Sequence, residues 1–190
     1  MKNTYIENKI IEKEDFTSNK LEVAEYEKCK FVNCNFSNSD LTNVQFLECL
    51  FLGCNLSNAS LNKTAFKETN FKDCKLLGLH FHNCNEFLLS VNFDNCQLNL
   101  SSFFRLKIKK TKFRNCSLQE ADFTETDLSG AVFENCDLSR TVFDGTNLEK
   151  ADLRTSYNYM IDPELNKIKR AKFSLQGIPG LLFKYDIEVE

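Results

Sequence analysis

Nine cysteines are the residues of this 190-residue chain best equipped for chemistry. In the stretch FLECLFLGCNL, residues 46–56, Cys49 and Cys54 stand five apart, a spacing open to a metal site, a disulfide or a redox pair. An odd count cannot pair completely as disulfides, and in a reducing compartment the thiols would be free or metal-bound. Zinc requires four ligands converging as a tetrahedron. The only histidines, His80 and His82, flank Phe81, with Cys84 two residues further on. No Ser–His or Cys–His nucleophile arrangement and no glycine-rich phosphate loop occurs. Whether the cysteines do chemistry depends on what positions them.

That element is a repeat. Large apolar residues recur every five positions, from Ile6, Ile11 and Phe16 to Phe81, and again from Leu88 to Leu153. One two-residue slip interrupts the series within HNCNEFL (82–88). A period of five fits neither an amphipathic helix nor a plain strand. The residue two before each large centre is nearly always small or compact, as at Ala59, Thr64, Ala121 and Thr126, and the other three positions are mostly polar. Residues two apart on extended backbone share a face, so each unit buries two side chains and must stack on copies of itself. All nine cysteines, Cys29, Cys34, Cys49, Cys54, Cys74, Cys84, Cys96, Cys116 and Cys136, fall at the small inward position. The spacing of five therefore belongs to the chain. Buried Cys behaves as a small hydrophobe, and a line of inward thiols suits neither zinc nor disulfide geometry. The repeat turns both histidines outward and Cys84 inward, so these three do not converge. The expectation is no catalytic residue, no metal and no cofactor.

The units ADFTE (121–125), TDLSG (126–130), CDLSR (136–140), TNLEK (146–150) and ADLRT (151–155) resemble the pentapeptide-repeat family, whose consensus is A(D/N)LXX. The resemblance covers about residues 16 to 155 and implies an all-β fold: a right-handed quadrilateral β-helix with four units per coil. Sorting the centres by every fourth unit, with two added after the slip, tests this. One column becomes Phe31, Phe51, Phe71, Phe93, Phe113 and Phe133; another is Leu56, Leu76, Leu98, Leu118 and Leu138. Like shapes then stack between coils, and Cys34, Cys54, Cys74, Cys96, Cys116 and Cys136 form one ladder. At about 4.8 Å per coil, about seven coils make a rod. The slip is a bulge within one coil, and its residues His82, Asn83, Asn85 and Glu86 are candidate partner contacts.

Three segments are expected: an N-terminal lead-in or cap at 1–15, the repeat β-helix at 16–155, and a C-terminal module at 156–190. In the last, Ser174 reads as an N-cap, 175–184 as a short helix, and 185–189 as a strand. Ile178, Leu181, Leu182, Phe183, Tyr185, Ile187 and Val189 give this tail more apolar surface than an end-cap buries, which points to a homodimer joined at the C-termini.

Net charge is −3 and pI about 5.6, which argues against a general nucleic-acid binder. No apolar run is long enough to span a bilayer, and the N-terminus lacks a signal peptide's apolar core; a soluble cytoplasmic protein without membrane contact is expected. Charge is unevenly distributed: residues 105–114 hold six basic residues and no acid, whereas 115–153 hold nine acids against Arg140 and Lys150. The acids Glu120, Asp122, Glu125, Asp127, Asp144 and Glu149 are the candidate partner surface. Within the family, an acidic rod with such a tail resembles the Qnr-type quinolone-resistance and MfpA-like branch. That resemblance implies a dimeric DNA mimic that binds DNA gyrase or topoisomerase IV, without direct nucleic-acid contact. The alternative is a non-catalytic scaffold for another cytosolic protein.

Overall fold

A computed structural model describes residues 4–188. Eleven short strands alternate with tight corners: β1 (Thr4–Glu7), β2 (Ile10–Glu12), β3 (Ala24–Glu27), β4 (Lys30–Val32), β5 (Gln45–Leu47), β6 (Leu50–Leu52), β7 (Ala65–Lys67), β8 (Thr69–Lys72), β9 (Val91–Asp94), β10 (Lys112–Arg114) and β11 (Val132–Glu134). They form two parallel sheets, one in the order β1-β3-β5-β7 and one in the order β11-β10-β9-β8-β6-β4-β2. Partners lie twenty residues apart, as Phe31 and Phe51 do, and twenty-two apart across the slip, as Phe71 and Phe93 do. Single-residue bridges at the same offsets build two further walls, through Gln97–Ser117–Asp137 and through His80–Ser102–Asp122. The protein is a four-walled parallel β-solenoid.

Wall 1 is centred on Tyr26, Phe46, Phe66, Ile108, Leu128 and Leu148. Wall 2 carries the column Phe31 to Phe133, wall 3 the column Phe36 to Leu138, and wall 4 the column Leu41, Leu61, Phe81, Phe103, Phe123 and Phe143. Every one of these centres is buried. The wall 2 rings stack face to face, with centroids 4.8 Å apart for Phe31–Phe51 and 4.9 Å for Phe113–Phe133. A second aromatic column meets them edge-on, Phe103 to Phe113 at 87°. Below the bulge this second column lies on wall 1; above it, on wall 4. The hand-off is the tilted Phe66–Phe81 contact at 6.4 Å.

Corners explain how so regular a coil forms with six glycines. The residue two after most centres takes a left-handed conformation, at Asn33, Asn58, Lys110, Glu120, Lys150 and many others. This costs a non-glycine residue about 1–2 kcal/mol, less for Asn and Asp. Here the backbone N–H at the corner donates to the next coil, as Lys110 does to Ser129 at 3.0 Å.

The hydrogen-bonded ladder outruns the repeat pattern at both ends. β1 and β2 pair with the following coil. After the motif fades at residue 155, Lys167 N–H still donates to Thr146 O and Lys172 N–H to Ala151 O. Backbone pairing between coils does not depend on side-chain identity, so the coil continues where its sequence signature has ended.

The tail departs from expectation. In place of one helix over 175–184 there is a 3-10 turn (Leu175–Gly177), a single helical turn α1 (Pro179–Leu182) and another 3-10 turn (Phe183–Tyr185). Ser174 does cap the first, accepting from Gly177 N–H at 3.1 Å. The expected strand is absent among the described residues: Asp186 is left-handed and no strand follows. Alternation alone supplied no partner edge, whereas Lys184 reaches Asp162 at 2.9 Å and Glu164 at 2.7 Å, and Tyr185 Oη donates to Glu164 at 3.0 Å. These bonds fold the segment back onto the last coil. Val189 lies outside the described residues.

Lys184 holds the carboxyls of Asp162 and Glu164 below their ordinary range. A depressed carboxylate contributes stability above its unfolded pKa, and the contribution is lost as pH falls through the folded value. Acidification below about pH 4 is therefore expected to release the tail before the rod melts. Limited proteolysis at falling pH checks this, and Lys184→Met should release the tail already at neutral pH; equal protection of the tail in both proteins at all pH values contradicts it.

Candidate functional site

The inner surface is packing. All nine cysteines are free and buried, and thiols among them donate to backbone carbonyls, Cys54 to Phe31 O at 3.3 Å and Cys49 to Tyr26 O at 3.2 Å. Burial pushes the Cys49 thiol up to about 12, away from the thiolate that reacts. Among the described residues no three His, Cys, Asp or Glu side chains converge as a metal site, and no helix is long and apolar enough to cross a membrane. His80 is exposed and His82 half-buried. His82 Nδ1 lies 3.1 Å from Ser102 Oγ, which donates to Asp122 at 3.0 Å. With its proton on the carboxylate, Ser102 ties three coils together rather than serving as a nucleophile.

On the outside, the coil pitch re-sorts the charges. The basic run 105–114 sits one coil below the acids twenty residues later. Arg105 pairs with Glu125 at 2.8 Å, Lys109 with Asp127 at 3.2 Å and Arg114 with Glu134 at 3.1 Å; Arg140 pairs with Glu120 at 2.6 Å. The Arg105 guanidinium holds Glu125 below the usual carboxylate range. Exposed pairs of this kind contribute about 0–1 kcal/mol each; their larger effect is to neutralise four of the nine acids in the run 115–153.

The six candidate acids do not form one surface. Asp122 and Asp144 lie on wall 4, with Glu120 and Glu125 at its two corners. Asp127 and Glu149 lie on wall 1, and Asp127 is held by Lys109 and Asn147. Asp144 and Glu149 make no ion pair among the described residues. Uncompensated acid gathers around wall 4 and the corner it shares with wall 3, where Glu120, Asp122, Asp137 and Asp144 face Arg140 alone.

The bulge replaces the wall 1 strand above β7 with a 3-10 turn (Glu86–Leu88), capped by Asn85 accepting from Phe87 N–H at 3.2 Å. Ala65 is covered by it, 1% exposed, where the equivalent outward positions below hold Glu25 and Gln45. Asn83 and Glu86 are exposed. The residue that sequence reasoning missed is Phe87, 99% exposed. It overhangs an open depression of about 780 Å³ lined by Val23, Asn43, Gln45 and Lys63. Its signal was available: Phe87 is an aromatic that falls outside the five-residue register.

Of the expected dimer residues, Leu181 turns inward and is buried against the end of the core, and Leu182 is half-buried. Ile178, Phe183, Tyr185 and Ile187 stay exposed beside Leu175, which is 87% exposed.

The fold is a β-solenoid whose flat walls and corners present its polar and charged side chains. The profile of the pentapeptide repeat region matches residues 24–103 and 44–123, and that of pentapeptide repeats in eight copies matches residues 116–154. This chain belongs to the pentapeptide-repeat family. Among solved structures it is similar to two trypsin-treated variants of QnrB1, a plasmid-mediated fluoroquinolone resistance protein. Each is 18% identical with a TM-score of 0.65, covering 99% of this chain and 98% of that one. Full-length QnrB1 is 19% identical with a TM-score of 0.52, covering 96% and 100%. At this identity the likeness is one of fold. No curated protein sequence matches significantly.

Proposed function

We propose that this protein binds a type II topoisomerase, DNA gyrase or topoisomerase IV, and protects it from quinolones. The observation that carries the reading is the likeness, along 99% of this chain, to a plasmid-mediated fluoroquinolone resistance protein. The acidic side formed by Glu120, Asp122 and Asp144 enters a basic groove made for DNA, as a steered, charge-complementary contact. Two copies join through Ile178, Phe183, Tyr185 and Ile187, with the half-buried Leu182 at the rim, lengthening the rod.

Gyrase supercoiling with ciprofloxacin tests it. Added protein should restore supercoiling, and Glu120→Lys/Asp122→Lys/Asp144→Lys should raise the half-protective concentration about tenfold or more. Absence of protection by the wild-type protein contradicts the proposal. A scaffold for another cytosolic protein is the second reading, favoured by the exposed Phe87 above Val23: an aromatic anchor suits a partner pocket better than a DNA groove does.

A further inference from the structure

The cations missing from the acidic side collect along the opposite edge. The corner between walls 1 and 2 carries Lys110, Gly130, Lys150 and Arg170, stacked one coil above another with positive φ. In the lowest of these coils Lys107, Lys109, Lys112 and Arg114 flank the corner; in the uppermost, Lys167, Lys169 and Lys172 do so. Arg154 adds one more, and the acids of the same region are Asp127, Glu134, Glu149 and Asp152. Eleven cations thus face four acids on one edge of a chain whose net charge is −3. Lys107, Lys110, Lys112, Lys150, Lys169 and Arg170 are exposed and make no ion pair among the described residues. The linear sequence hides this stripe, because its cations come from three separate coils.

We propose that this edge binds the phosphodiester backbone of a nucleic-acid duplex. The stripe spans three coil steps, about 15 Å, with cations in the first, third and fourth of these coils and none in the second, which holds Asp127, Gly130 and Glu134. A convex corner with positive charge on both adjoining walls fits a groove bordered by phosphates on both sides. A protein partner would need an apolar anchor at the centre of its contact. Among the outward residues here only Val132 carries an apolar side chain, the others being charged, Ser129, Asn147 or the corner Gly130. Polar, strongly cationic surfaces are what backbone-reading interfaces use. The net negative charge that argued against nucleic acid is an average over two unlike edges.

The test is fluorescence anisotropy with a labelled duplex of about 20 base pairs, the protein alone being titrated. A dissociation constant of about 1–100 µM is expected at about 50 mM NaCl, weakening about a hundredfold by about 200 mM if about four phosphates are neutralised. Lys110→Glu/Lys150→Glu/Arg170→Glu should weaken binding at least about tenfold and flatten the salt slope. This triple variant suits the backbone, because Glu48 and Glu68 already occupy the same corner column with positive φ. Arg140→Glu, on the diagonal corner, should change affinity less than about twofold. Any of the following overturns the proposal: no binding at low salt, a triple variant equal to wild type, an equal loss in Arg140→Glu, or competition by polyglutamate or tripolyphosphate as effective as by unlabelled duplex. No topoisomerase is present, so failure here leaves the proposed function standing, and the converse holds.

Discussion

Replacing Phe113 with alanine is expected to destabilise the protein by about 3–5 kcal/mol, the range for a fully buried phenylalanine. Phe113 stacks between Phe93 at 5.2 Å and Phe133 at 4.9 Å, and meets Phe103 and Phe123 edge-on at 6.0 and 5.8 Å. Removing it leaves a void inside both aromatic columns, and flat walls held by coil-to-coil bonds cannot collapse to fill it. Each coil contacts only its neighbours, so the loss should divide the rod at that level. Denaturant unfolding should show a lower midpoint, and a second transition if the halves separate. Phe87→Ala, by contrast, removes a ring that touches little and should stay within about 0.5 kcal/mol of wild type. Equal stability of the two variants contradicts this view of the core.

The second large effect is expected at the tail. A Cβ on Gly180 would lie 2.1 Å from the backbone oxygen of Tyr159, and one on Gly177 would collide with the Tyr159 ring. Both glycines are required by close approach, since neither has a positive φ. Gly180→Ala must push α1 off the last coil, lose the 2.9 Å bond from Ile161 N–H to Gly180 O, and expose Leu181. Burial of such a leucine is worth about 1.5–3 kcal/mol, a large fraction of what holds four helical residues in place. Trypsin should then cleave at Lys184 while far-UV dichroism of the rod persists. If the tail joins two copies, native mass should also shift from dimer to monomer. Wild-type resistance to trypsin in Gly180→Ala contradicts the packing described.

How much of this was legible beforehand follows from which interactions are local. The five-residue step and the Phe31–Phe133 column are properties of one coil repeated, and they specified the walls, the inward cysteines and the position of the bulge. Partnerships across coils were harder to read. Arg105 and Glu125 look like members of two opposed charge blocks until a pitch of twenty residues places one above the other. Asp122 and Asp127 are five apart and read as one surface, yet five residues is one wall, so they face different sides. The strand expected at 185–189 failed because alternation describes a strand's side chains and not the edge it must pair with. Phe87 stands outside the five-residue register, and a periodicity carries no information about a residue that interrupts it.

On the proposed function the two long edges of this rod have separate roles, the acidic one meeting the topoisomerase. Direct binding of wild-type protein and of the two charge-reversed variants to DNA-free gyrase, by interferometry, tests it most plainly. Wild type and Lys110→Glu/Lys150→Glu/Arg170→Glu should bind alike, while Glu120→Lys/Asp122→Lys/Asp144→Lys should bind at least about tenfold more weakly. Wild-type protein that does not bind gyrase, or an acidic-edge variant that binds as tightly as wild type, contradicts the account.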